Sequence, residues 1–275
     1  MIQHQLGVKK DISLSIEELQ EQRKELLASI KYASFIQRAI FPDFAFLDKV
    51  LHEYFILHLP RDIVSGDFYY CNKKEEKIVI AAGDCTGHGV PGALMSIMGI
   101  SFMHEVVSAK GSWMPSRLLN MIRERVMKAL HQTGMADENK DAIDMALVVF
   151  NEDTGELQYA GANNPLYHIR NGVLTEIKAN KMPVGIDAIE EESFTNHSIQ
   201  LISDDMVYIF SDGYADQFGG PDCKKFKYGP FKELLCKIAG EDLSVQKEKL
   251  MKTIIEWKGD IRQIDDILIF GVKFM

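Results

Sequence analysis

Four aspartates share one setting: each opens or closes a strand-like apolar run and stands beside a small residue or a second aspartate. They lie in Ser65-Gly66-Asp67, Gly83-Asp84-Cys85-Thr86-Gly87, Ser211-Asp212-Gly213 and Ile264-Asp265-Asp266. An aspartate at a strand end carries its carboxylate on a rigid base, and an adjacent glycine lets backbone and ligand come close. Several carboxylates brought together repel one another unless cations sit between them. An all-oxygen donor set of this kind suits hard ions such as Mg²⁺ or Mn²⁺, and not zinc. Each tripeptide alone is also an ordinary turn, because Asp–Gly is turn chemistry. The spacing points to a divalent-metal site without requiring one.

The elements that must position these residues fall into two textures. Before Pro42, residues of about 11–41 carry one long helical pattern, with Ser15-Ile16-Glu17-Glu18 in the form of a capping box. Positions 16, 19, 23, 26, 30, 33, 37 and 40 fall on alternating three- and four-residue steps and read Ile, Leu, Arg, Leu, Ile, Ala, Gln, Ile. Such a seam suits a coiled coil, in which Arg23 and Gln37 would be polar exceptions. A single helix packed on its own domain is the alternative.

After Pro42 the pattern predicts strands at 52–58, 67–71 and 77–83, then a helix at 90–109 with Pro91 in its first turn. A second helix follows at 115–132. Runs at 143–151, 156–160 and 166–170 read as a meander with turns at Asp153-Thr154-Gly155 and Asn171-Gly172. Further strands at 195–201 and 206–211, helices at 230–239 and 243–258, and a last strand at 266–273 complete the chain. Strands and helices come in blocks, which predicts α+β rather than a doubly wound sheet.

Composition narrows the function classes. The 275 residues hold 31 Lys plus Arg against 40 Asp plus Glu, a net charge of −9, and no Lys/Arg-rich run. A surface that tracks nucleic acid is excluded on that balance. Hydrophobic residues at 46% and charged residues at 26% are the mix of a folded chain. The cysteines at 71, 85, 223 and 236 form no CxxC pair, so a zinc knuckle has no support, and free thiols fit a reducing compartment. No continuous apolar stretch opens the chain as a signal peptide would. The most apolar segment, 93–107, is broken by His104 and Glu105 and is short for a bilayer. A cytoplasmic protein without membrane insertion is expected.

The segment from Gly83 to Met95 adds a more specific signal: an apolar strand runs into Asp84, then a Gly-rich turn, then a helix opening at Pro91. Here the chain resembles the metal-dependent protein phosphatases of the PPM type, in the bacterial branch of sporulation stage II protein E and RsbU. The resemblance runs over about residues 34–274 and rests on seven motifs in order. They are Ile36 to Pro42, Asp62 to Tyr69, Gly83 to Gly89, Ala162-Asn163-Asn164-Pro165, Met182 to Ile186, Ser211-Asp212-Gly213 and Asp265-Asp266.

The resemblance implies a β-sandwich flanked by α-helices in α-β-β-α layers. A regulatory or dimerisation helix (1–41) would precede a phosphatase domain (42–275). It implies that Asp84 bridges two cations, Mn²⁺ or Mg²⁺, with the Cys85 carbonyl beside it on one ion. Asp67, Asp212 and Asp265 would be the other acidic ligands, and Asp266 would stand behind them. The implied reaction is hydrolysis of phosphoserine or phosphothreonine by a water activated between two metals, with no nucleophilic cysteine. The implied substrate is a phosphorylated anti-anti-sigma protein of the STAS type. His88 would donate a proton to the leaving oxygen or orient its loop. Arg61 would reach the phosphate through its planar fork or form a salt bridge. The Asn163-Asn164-Pro165 turn would be structural. The helix implies a homodimer through residues 15–41 and an upstream sensor, separate or in a longer chain. Two other readings stay open: a silent partner-binding module dimerised by the helix, and a phosphoesterase for small molecules.

Overall fold

Strand alternation decides the layers. A computed structural model describes residues 2–109, 111, 113–135, 138–187 and 193–274, with side chains from residue 15 onward. Its strands are β1 (Glu53–Leu59), β2 (Phe68–Lys74), β3 (Lys77–Cys85), β4 (Ile143–Asn151), β5 (Glu156–Ala162), β6 (Leu166–Arg170), β7 (Val173–Ile177), β8 (His197–Gln200), β9 (Met206–Phe210), the short β10 (Phe218–Gly219) and β11 (Lys224–Lys225), and β12 (Ile267–Lys273). Its helices are α1 (Ile2–Ile40), α2 (Phe44–Val50), α3 (Gly89–Ser108), α4 (Pro115–Ala129), α5 (Gly213–Asp216), α6 (Tyr228–Ile238) and α7 (Leu243–Lys258).

Two five-stranded antiparallel sheets form, in the orders β1-β12-β9-β6-β7 and β2-β3-β4-β5-β8. Successive side chains of a strand point to opposite faces. In β2, Tyr69 and Cys71 therefore face the other sheet, where they join Ile56, Ile209 and Phe270 in the central core. Phe68 and Tyr70 face outward onto Ile100 and Met103 of α3 and Leu119 and Ile122 of α4. The other sheet repeats this: Leu57, Tyr208 and Ile269 face Phe231 and Leu235 of α6 and Leu250 and Ile254 of α7. Each large apolar side chain so covered stabilises the fold by roughly 1.5–3 kcal/mol. The result is the expected α-β-β-α arrangement.

Four differences from the sequence reading have physical causes. Helix α1 starts at Ile2, so Ser15 to Glu18 lies within the helix and is not a cap. The expected meander is broken: β5 stays in one sheet and β6 crosses to the other, where it pairs with β7 and β9. Asn163 makes the corner in a left-handed conformation (φ 57), with its N–H bonded to the Asn180 carbonyl. The hairpin strand β7 has an exposed, weakly apolar pattern, which hid it. Helix α3 is 20 residues long and apolar enough by length to cross a bilayer. It is instead a core helix, with Ile100, Met103, Val106 and Val107 buried against the sheet.

Helix α1 changes character along its length. Seam residues Ile16, Leu19 and Leu26 are exposed, Ile30 and Ile40 are half-buried, and Gln37 is only 4% exposed. The polar exception in the seam thus lies where the helix meets the body.

Candidate active site

The antiparallel order brings five strand ends to one edge of the sandwich: the starts of β2, β4 and β12 and the ends of β3 and β9. Asp67 precedes β2, Asp84 closes β3 and Asp144 enters β4 directly opposite it. From the facing sheet, Asp212 follows β9 and Asp265 precedes β12. Ser211 ties the sheets together: its Oγ donates to Asp67 Oδ2 at 2.6 Å and accepts from the Leu268 N–H at 2.9 Å. Glycines permit the close approach. A Cβ at Gly66 would sit 2.6 Å from the Gly87 carbonyl, and one at Gly92 would collide with the same oxygen. A Cβ at Gly213 would strike the Asp266 carbonyl. Larger residues there would push the acidic loops apart.

These strand ends surround a cleft of about 600 Å³. Asp84, Cys85, Asp144, Asp212 and Asp265 line it. Asp67 lies beneath, 1% exposed. Burial, followed by the charge of Asp84, holds the Asp67 carboxyl well above the usual range. Burial also raises Asp84, with Asp212, Asp265 and Asp144 adding to the effect. Asp212 is pushed up to about 6 by burial and by the charges of Asp216, Asp265 and Asp144. Asp144 is raised by burial against a hydrogen bond of 2.8 Å from Asn163.

Among the described residues, no three His, Cys or acidic side chains close on a single point as a ready-made cage. The arrangement is an open ring of mutually repelling oxygens. Its chemistry fits divalent cations, because the donors are carboxylates and a cation would relieve both repulsion and desolvation.

The other residues singled out in the sequence separate by position. Both oxygens of Asp266 are occupied, accepting from the N–H groups of Arg61 and Gly66 at 2.7 Å each. Asp266 therefore clamps the loop that carries Asp67. Cys85 lines the cleft, while burial pushes its thiol far up, so its sulfur is not a thiolate. His88 lines the cleft with Nδ1 3.2 Å from Asp62 Oδ2. Arg61 does not line it: its Nε stands 4.0 Å from Asp62 and has no hydrogen-bond partner among the described residues.

Sequence reading passed over three residues. Asp144 was signalled only by one carboxylate inside an apolar strand. Asp62, which also accepts from Arg262 at 3.3 Å, was quoted within a motif but given no role. Gln37 was noted in the seam, yet its partners could not be. It donates to the Ser65 carbonyl at 2.6 Å and to Ser96 Oγ at 2.8 Å, and accepts from the Ser65 N–H at 3.1 Å. Helix α1 is thereby bonded to the loop that holds Asp67.

Comparison with known proteins adds to this geometry. The family model for stage II sporulation protein E (SpoIIE) matches residues 74–275. The chain is similar to phosphoserine phosphatase RsbU of Bacillus subtilis (strain 168), at 26% identity over 166 residues, covering 58% of this chain and 45% of that protein. The match thus spans less than half the length of that curated relative. Among solved structures, the SiaA-PP2C domain of Pseudomonas aeruginosa superposes with a TM-score of 0.83 at 32% identity, covering 92% of this chain and 98% of that one. The PP2C phosphatase domain of SpoIIE from Bacillus subtilis, solved with a regulatory fragment, gives a TM-score of 0.65 at 18% identity. It covers 80% of this chain and 62% of that one, a likeness of fold alone.

Proposed function

The chain belongs to the stage II sporulation protein E (SpoIIE) family of PP2C-type serine phosphatases, and from that premise we propose that it hydrolyses phosphoserine or phosphothreonine on a protein partner with the help of two divalent cations, Mn²⁺ or Mg²⁺. One observation carries this reading: Asp84, Asp212 and Asp265 come from two sheets to one cleft, with Asp67 beneath it, as carboxyl groups that repel one another when ionised.

Asp84, the Cys85 carbonyl, Asp67, Asp212 and Asp265 would hold the cations. Bound there, the cations would supply charge neutralisation for the phosphoryl oxygens and acidify an attacking water. The chain's own residues do the rest. Ser211 orients Asp67 through its 2.6 Å hydrogen bond, and Asp266 fixes the loop before Asp67 through two backbone N–H groups. Asp62 holds His88 at the rim, where the imidazole orients the Gly-rich turn. No cysteine acts as nucleophile.

A STAS-type anti-anti-sigma protein is the partner proposed from the family, in the cytoplasm. Helix 1–41 is the proposed regulatory segment, dimerising through residues 15–41 on behalf of an upstream sensor, with 42–275 as the phosphatase domain. The exposed Leu19, Leu26, Tyr32 and Phe35 support a partner for that helix. Gln37 gives it a physical connection to the loop of Asp67. The same exposed residues support the second reading, a silent binding module.

Turnover of a phosphoserine protein under Mn²⁺ titration, with Asp84→Ala as control, separates the two. Mn²⁺-dependent hydrolysis lost in the variant is expected. Absence of both turnover and metal binding would leave the binding module. Deleting residues 1–33 is expected to change the oligomeric mass or the basal rate; if neither moves, the regulatory role of the helix fails.

A further inference from the structure

Among the described residues that line the cleft, Lys140 is the one lysine or arginine. The other guanidinium and ammonium groups near this edge face acids outside the ring: Arg61 and Arg262 lie 4.0 and 3.3 Å from Asp62, and Lys225 lies 2.7 Å from Asp216. The neighbouring acid of the same loop, Glu138, is spent on its own backbone. It accepts from the N–H groups of Thr133 at 2.5 Å and Gly134 at 2.9 Å, and from the Thr133 hydroxyl. Lys140 itself is exposed and makes no side-chain hydrogen bond or ion pair among the described residues.

Its backbone, by contrast, is held firmly. Asn139 and Asp141 exchange hydrogen bonds of 2.8 and 2.7 Å around it. Buried Gln132 donates to the Asp141 carbonyl at 2.7 Å and accepts from the Ile186 N–H at 3.0 Å. Ala142, two residues on, exchanges hydrogen bonds with Thr86 in the turn that follows Asp84. Among the described residues Lys140 is therefore an uncommitted ammonium on a rigid base beside a ring of carboxylates. A phosphate dianion entering that ring meets repulsion, and an ammonium at its wall offsets this with charge-assisted hydrogen bonds.

We propose that Lys140 is the side chain that binds the phosphoryl oxygens of the substrate at the cleft wall, a role the sequence motifs had offered to Arg61. This rests on the reading of the cleft as a phosphatase site. No bond forms or breaks at Lys140; it recognises charge.

The test compares wild type, Lys140→Met and Lys140→Arg in the full chain with Mn²⁺. Lys140→Met keeps the aliphatic stem and is expected to raise KM for a phosphoserine peptide about tenfold with kcat within about twofold, since the interaction is made in the ground state as well. Lys140→Arg is expected to restore most of the affinity. A readout free of turnover is amine acylation mapped by mass spectrometry, in which inorganic phosphate should protect Lys140 but not Lys128. Unchanged KM in Lys140→Met, a fall in kcat alone, or no protection by phosphate would each overturn the assignment. Phosphate protection of Lys140 in a protein that turns nothing over would uphold the binding role while the hydrolase reading failed.

Discussion

Strand β9 is flanked by two aspartates, Asp205 just before its start and Asp212 just beyond its end, and their carboxyls are shifted in opposite directions. Before the strand, Asp205 is 1% exposed. Burial alone would raise it, but hydrogen bonds from Arg170 (2.8 Å to Nε) and the Ile202 N–H (3.0 Å), with His168 Nε2 at 3.1 Å, hold its carboxyl down at about 2. After the strand, Asp212 is pushed up to about 6, because burial and three other carboxylates act on it together. Residue type and strand are the same. What differs is the company: one end is a carboxylate satisfied by the Arg170 guanidinium and the Ile202 N–H, joining β6 to β9, and the other is an acid ring that only a cation would satisfy. The first serves stability, and the second holds unfavourable energy at the place proposed for chemistry.

The largest expected effect lies at the unsatisfied end. Asp84→Asn should lower Mn²⁺-dependent turnover of a phosphoserine peptide by on the order of 10³-fold. The same change should raise the melting temperature of the metal-free protein, because it removes one member of the repelling set. A variant both inactive and less stable without metal would break the contrast.

Removing the satisfied carboxylate should do the reverse. Asp205→Ala leaves His168 without this carboxylate and Arg170 with only the Gln200 carbonyl, and should cost about 2 kcal/mol in a denaturant melt, below the usual cost for a fully buried pair because Arg170 is partly exposed. The turnover rate per folded molecule should not change. A loss of rate at full occupancy of the folded state would show that the two ends are coupled.

A pH series sharpens the comparison further. The stabilisation from Asp205 is fully present above about pH 4, its unfolded value, and is lost as pH falls toward about 2. Asp212 works the other way: its raised folded value makes metal-free stability fall as pH rises from about 4 to about 6. Melts of the metal-free protein between these limits should show both slopes, and Asp212→Asn should make the second shallower, the rest of it coming from the raised carboxyls of Asp67, Asp84 and Asp144. A single slope of one sign across the whole range would contradict the assignment.

The smallest effect belongs to Arg61, whose guanidinium stands by Asp62 outside the cleft lining. Arg61→Lys should change KM for a phosphoserine peptide by less than about threefold, in contrast to the change expected at Lys140. A larger rise would return the phosphate contact to Arg61.

Much of this architecture was legible before any coordinates. Strands such as 143–151 and 166–170 show as runs because their apolar side chains are continuous or alternate, and those patterns are local. The aspartates at 67, 84, 212 and 265 were legible because strand-end carboxylates beside small residues are equally local. Gln37 stood out as polar in an apolar seam, but nothing in the seam could say that it bonds to Ser65. Asp144 and Lys140 carried almost no signal, since each is an ordinary residue until a loop or strand is set against Asp84.

The sequence by itself determined the longer strands and helices of the sandwich, though not β7 or the short helices, and which acids stand at their ends, because backbone propensity and turn chemistry act over a few residues. Only the tertiary structure decided that β6 leaves its neighbour for the other sheet, that Asp205 is satisfied while Asp212 is not, and that Lys140 rather than Arg61 faces the cleft. Those outcomes depend on which distant groups share a small volume of low dielectric, and charge, hydrogen bonding and burial there are properties of the assembled fold.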